Sequence, residues 1–245
     1  MSNLKLGYKK PNNILLSDNI ILGKGGGGGG GTVDLPIFRS NGIILAPPGY
    51  ENDGVWVSAQ GNAFNWLIIP KDENRQRINP FIETKPFKIH IRVYPAYITP
   101  SGGNDNALFG ISGGNYYQMP ALHPHTDYMW MGISENGSGW TSGCSLDPDG
   151  DPDHYIQNGK VYTIECGWDG SVYFIYLYNA DKKLIATATN PGKGQYPYTG
   201  SYEFDFGGLV SYASLHGLRD WYLDVSDAYI EVDGQLLWGV KRDGY

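Results

Sequence analysis

Apolar and polar residues follow one another in short runs broken by turn dipeptides, and no segment shows the three-to-four-residue recurrence of an amphipathic helix. Val172–Tyr178 is the clearest run: Tyr173, Ile175 and Leu177 share one face of an extended strand, and Val172, Phe174, Tyr176 and Tyr178 share the other. Further strands are expected at Phe64–Ile69, Phe87–Val93, Ala107–Ile111, Tyr128–Ile133, Tyr162–Glu165, Ala228–Val232 and Gln235–Trp238. Asp169-Gly170 and Asp233-Gly234 each sit between two such runs, the signature of hairpins whose positive φ angles match strand twist; Asn136-Gly137 and Asn158-Gly159 are weaker instances. Together these features predict an all-β, two-sheet antiparallel sandwich. Only one face of each sheet can enter the core. The row Phe174, Tyr176 and Tyr178 is therefore expected either to be covered by a neighbouring segment or partner or to form an aromatic platform in solvent.

Composition adds an organisation. Seven consecutive glycines, Gly25–Gly31, separate a leader from the body. The leader, residues 1–24, holds Lys5, Lys9, Lys10 and Lys24 against Asp18, a balance of +3 within a chain of net charge −7, which leaves −10 for the rest. Residues 1–31 are read as an attachment arm with a polyglycine tether, and residues 32–245 as one folded domain, a length ample for a single core. The apolar positions Ile14, Leu16, Ile20 and Leu22 are too few to fold alone, so they are expected to order against a partner. The acidic body argues against nucleic acid as a ligand. No run is long and apolar enough to span a bilayer, and the N-terminus lacks the apolar centre of a secretory signal, so no membrane insertion is expected. The two cysteines, Cys144 and Cys166, are too few for a disulfide framework or a thiolate zinc cluster; two buried thiols and a single disulfide both remain open.

Candidate chemistry is sparse. Asp147, Asp149, Asp151 and Asp153 place a carboxylate at every second position, an oxygen-rich set suited to Ca²⁺, although the intervening prolines and the lack of a closing glutamate fit a solvated acidic turn better. His123-Pro124-His125, with Asp127 nearby, puts two imidazoles on one side of an extended segment, but no third ligand is identifiable and the segment reads more simply as a polar loop. Glu203-Phe204-Asp205 puts two carboxylates on one strand face, but the same spacing recurs at Glu231-Val232-Asp233, so no catalytic residue is assigned. Asn115, Tyr116 and Tyr117 among glycines, and Trp140 between glycine and threonine, combine flat apolar rings with amide groups on expected loops, the mixture that carbohydrate recognition needs.

Four segments carry a resemblance: Pro86-Phe87-Lys88-Ile89-His90-Ile91, Met129-Trp130-Met131-Gly132-Ile133, Trp168-Asp169-Gly170 with its following strand, and above all Tyr222–Trp238. Over roughly residues 50–241 the chain resembles concanavalin A-like, laminin G-type jelly-roll domains of bacteriophage tail and other virion proteins. The resemblance implies a jelly-roll sandwich, a setting on a virion exposed to the extracellular environment, partners among other virion proteins, host-surface carbohydrate as a ligand, a homo-oligomer and, at the sandwich rim, calcium. It also implies two rivals: a structural virion component without glycan binding, in which Phe174, Tyr176 and Tyr178 pack against a partner, and a jelly-roll glycoside hydrolase. In such hydrolases a third carboxylate follows on the same strand, whereas Gly207 and Gly208 occupy that region here.

Overall fold

The computed structural model describes residues 35–59, 66–81, 83–98, 107–112, 121–124, 128–133, 142–146, 154–193, 203–211, 214–217 and 220–242. Among these the chain is all-β, with two large antiparallel sheets and no α-helix. One sheet runs β1 (Phe38–Ser40), β4 (Ile68–Pro70), β13 (Glu203–Phe206), β6 (Phe109–Ser112), β7 (Ala121–Pro124), β8 (Met129–Ile133), β9 (Ser142–Leu146). The other runs β12 (Leu184–Pro191), β11 (Val172–Tyr178), β10 (Tyr162–Trp168), β5 (Phe87–Pro95), β16 (Trp221–Val232), β3 (Trp56–Ser58), β2 (Ile43–Ile44), with β17 (Gln235–Gly239) also paired to β16. A small hairpin joins β14 (Gly208–Ser211) and β15 (Ser214–Gly217).

The core lies between the two large sheets and follows from alternation. From the larger sheet come Phe87, Ile89, Ile91 and Val93 of β5, Ile164 and Cys166 of β10, Tyr173, Ile175 and Leu177 of β11, and Leu223, Ala228 and Ile230 of β16. The other sheet answers with Ile68, Phe109, Leu122, Met131, Phe204 and Phe206. Phe204 meets Phe81, Phe109 and Phe206 at ring separations of 5.7, 5.9 and 5.3 Å, a cluster of edge and tilted contacts at the centre of the sandwich. Cys144 and Cys166 are both buried free thiols, and burial pushes the Cys144 thiol up to about 11.

Two hairpins illustrate how local chemistry sets register. At Asp233-Gly234 both residues take positive φ, 54° and 74°, as the dipeptide predicts. At Asp169-Gly170 the turn is shifted by one residue: Trp168 pairs with Tyr173, and Gly170, at φ 106°, leads the turn with Ser171 in second place. The Asp169 carboxylate fixes this geometry by accepting from the Ser171 N–H at 2.8 Å, the Ser171 hydroxyl at 2.9 Å and the Val172 N–H at 2.9 Å. Aspartate here braces the turn from outside it. His123, expected in a polar loop, instead belongs to β7, where it is buried with its ring 5.4 Å from Trp130; His125 and Asp127 lie outside the described residues.

Ile91 sits fully buried on β5, the strand between β10 and β16. Truncation to Ile91→Ala should cost about 2–5 kcal/mol of unfolding free energy, measured by urea denaturation, with the slope against urea unchanged.

Candidate functional site

The outer face of the larger sheet, turned away from the core, carries an unusual density of charge and aromatic surface. It originates in β5, where Phe87, Ile89, Ile91 and Val93 enter the core and Lys88, His90, Arg92 and Tyr94 project outward. Cross-strand register sets their neighbours. His90 stands opposite Glu165 of β10 and Tyr229 of β16, Lys88 opposite Glu231, and Tyr94 opposite Tyr222.

A wide bulge in β16 completes the arrangement. Leu223 pairs with Val93 and Ala228 with Ile91, so the four residues Asp224–Asp227 span the place of the single residue Arg92. The extra backbone swings two carboxylates onto two cations. Arg92 donates from Nη1 to Asp224 Oδ2 at 3.0 Å and from Nη2 to Asp53 Oδ2 at 2.6 Å, while its guanidinium lies 5.0 Å from the Trp56 ring centre. The other oxygen of Asp224 accepts from the Val55 N–H at 2.9 Å, the Ser226 N–H at 3.0 Å and the Ser226 hydroxyl at 2.6 Å. Gly54, at φ 105°, has to be glycine: a Cβ there would overlap the Asp224 carboxylate.

His90 forms the second centre. Its Nδ1 lies 3.0 Å from Glu165 Oε1 and its Nε2 3.3 Å from Asp227 Oδ1, and the Tyr229 ring stacks on it at 4.5 Å with a 12° interplanar angle. The Tyr229 hydroxyl donates to Glu165 Oε1 at 3.2 Å, and that of Tyr178 to Glu165 Oε2 at 3.4 Å. With a carboxylate at each ring nitrogen, the protonated imidazolium satisfies both. Burial alone would lower the His90 pKa, but the hydrogen bonds to Asp227 and Glu165 and their charges outweigh it and hold it above the ordinary value. Glu165 is likewise penalised by burial, yet His90, Lys88 and Tyr229 hold it below the usual carboxylate range. Burial and the Glu165 charge push the Tyr178 phenol up to about 12 and the Tyr229 phenol upward as well.

The two ionic centres are buried: His90 is 0% exposed and Arg92 8%. They act as a stiff floor. The partly exposed groups are the tyrosines around them, Tyr176 and Tyr178 on the β11 flank and Tyr50, Tyr94 and Tyr222 on the other. In the row Phe174, Tyr176 and Tyr178, Phe174 is buried and its ring stacks on Tyr176 at 5.0 Å, leaving the two tyrosines half-covered. Glu203 and Asp205 lie on β13 in the other sheet, and Asp205 is fully buried, so this pair stands apart from the outer face just described. Asn115, Tyr116, Tyr117 and Trp140, the acidic set Asp147, Asp149, Asp151 and Asp153, and Ile14, Leu16, Ile20 and Leu22 all lie outside the described residues. Sequence reasoning did not single out His90, Arg92, Glu165, Asp224, Asp227 or Tyr229. The available signal was histidine, arginine and glutamate at alternate positions inside strands that otherwise read as core.

The sign of the pH dependence follows from the two shifts. The contribution of His90, raised above its ordinary 6.5, is complete below that pH and disappears as pH rises through the folded-state value. That of Glu165, lowered from its ordinary 4.5, is present above that pH and disappears as pH falls through its folded-state value. Unfolding free energy should therefore decline as pH is raised above 6.5, and His90→Gln should flatten that decline in denaturation curves recorded across the range.

No family model matches the sequence, and no curated protein matches it. Among solved structures, the chain is similar to the enzymatically active domain of tailspike protein 2 from bacteriophage CBA120, at 13% identity over 81% of this chain and 27% of that one, with a TM-score of 0.44. It is similar to the binding domain of botulinum neurotoxin serotype D/C, at 12% identity over 81% and 45% with a TM-score of 0.47. The mouse laminin α1 chain, domains LG4-5, is similar at 10% identity over 84% and 49%, with a TM-score of 0.46. The chain thus spans about a quarter of the length of the tailspike structures and about half that of the other two.

Proposed function

We propose that this chain is a bacteriophage virion appendage or structural protein whose sandwich contacts host-surface carbohydrate through the outer face of its larger sheet, acting by binding rather than bond cleavage. One observation carries the reading: half-exposed tyrosines flank a buried, ion-paired floor on a single sheet face. Pyranose rings present flat C–H faces that pack on aromatic rings, and their hydroxyls pair with phenols, amides and carboxylates. A rigid aromatic platform supplies contact area with little side-chain entropy to lose. The virion setting is supported by the resemblance of Tyr222–Trp238 and by the basic leader joined through seven glycines, which suits an arm that docks on a particle.

The rival, a purely structural assembly role, is favoured by a different observation. Leu236 and Leu237 on β17 are 52% and 44% exposed, and apolar surface of this kind on a peripheral strand fits contact with another protein.

A glycan array probed with the full chain separates the two. The binding reading expects a discrete set of retained glycans and a loss of roughly tenfold or more in affinity on Tyr176→Ala. Absence of retained glycans, together with loss of particle incorporation when Leu236 and Leu237 are replaced by serine, would favour the assembly role.

A further inference from the structure

Within that reading, on which this step rests, we infer that the corner formed by Tyr50, Tyr94 and Tyr222 is a subsite for a neutral pyranose. The three rings are fixed against one another rather than merely adjacent. Tyr94 and Tyr222 are cross-strand partners on β5 and β16 whose rings meet at 88° with centres 5.5 Å apart, so one ring offers a floor and the other a wall. Tyr50 closes the far side, 6.1 Å from Tyr94 and 6.1 Å from the buried Trp56, with an interplanar angle of 63° in each case. All three are half-buried, and none of their hydroxyls has a hydrogen-bond partner among the described residues. Three immobilised phenols with unused donors and acceptors suit a polyhydroxylated ligand.

Polar groups converge on the same corner. The Asp53 side chain is 55% exposed, yet one of its oxygens is held by Arg92 at 2.6 Å, which orients the carboxylate for a ligand hydroxyl. On the other side the turn Asn158-Gly159 approaches Tyr94: the Gly159 N–H donates to the Pro95 carbonyl at 2.7 Å, and a Cβ on Gly159 would stand 3.6 Å from the Tyr94 hydroxyl. Asn158 itself is exposed and offers an amide at the rim.

Charge selects the ligand class. Arg92, the cation beside these rings, is engaged by Asp224 and Asp53, Arg242 is turned onto the Ser226 hydroxyl next to Asp224, and the exposed Asp53 carboxylate disfavours an anion. An uncharged sugar ring, packed on Tyr94 or Tyr222 and hydrogen-bonded at its edge, uses every group present. A proline-rich peptide would use the rings but offers no hydroxyl to the exposed Asp53 carboxylate.

Saturation-transfer NMR on the full chain, with the methyl pyranosides of glucose, galactose, mannose and N-acetylglucosamine as probes, tests the assignment. At least one probe should receive saturation at its ring C–H protons; Tyr94→Ala and Tyr222→Ala should abolish it, and Leu236→Ser, on the exposed part of β17, should leave it. Tyr94→Phe and Tyr222→Phe keep the packing and remove only the hydroxyls, so they should weaken the transfer while the melting temperature holds. Transfer that survives all four substitutions at Tyr94 and Tyr222 would overturn the corner, as would transfer to a proline-rich peptide with none to any pyranoside. A positive glycan array accompanied by either result would leave carbohydrate binding standing and place it elsewhere on the protein.

Discussion

Two cations on one strand, His90 and Arg92, have to be matched by carboxylates that arrive from distant parts of the chain, and the architecture of the larger sheet is arranged around that requirement. β5 lies between β10 and β16, so anything on its outer face is enclosed on both sides. An unmatched charge there would cost several kcal/mol. Glu165 arrives in ordinary register. Asp53 comes from the turn before β3, whereas Asp224 and Asp227 arrive because β16 widens by three residues where it passes Arg92, a deformation held by the bonds Asp224 makes to Val55, Ser226 and Arg92.

The consequence for function is rigidity. A surface that recognises a ligand by stacking gains when its rings are already in place, because less ordering entropy opposes binding. Tyr178 is fixed by Glu165, Tyr50 by the Arg92–Trp56 assembly, and Tyr94 by its edge contacts with Tyr50 and Tyr222. The ionic floor and the aromatic surface are thus parts of one object.

Much of the sandwich was legible in the sequence because its signals are local. Alternation along Val172–Tyr178 separates the core residues Tyr173, Ile175 and Leu177 from the outward row, and Asp233-Gly234 adopts the backbone its residue types demand. The shift at Asp169-Gly170 was not legible, since it depends on which of two overlapping turns the aspartate braces. The ionic floor was still less so. His90 meets Glu165 and Asp227 across 75 and 137 residues, and Arg92 meets Asp224 across 132, through a bulge whose presence no local pattern announces. Asn115, Tyr116, Tyr117 and Trp140 read as binding candidates in the sequence because aromatic side chains among glycines resemble exposed surface, whereas tyrosines within strands read equally well as core. Tyr94 and Tyr222 illustrate this ambiguity: each occupies an outward strand position that a period-two pattern can assign only when the core face is known.

The central claim is that the β16 bulge is held by the charges it carries, and a double-mutant cycle on Arg92→Gln and Asp224→Asn measures this most directly. Unfolding free energies of the four proteins should reveal a coupling of about 1 kcal/mol or more, with each single substitution destabilising. Additive effects, agreeing within about 0.5 kcal/mol, would contradict the account and leave the bulge explained by backbone and packing alone.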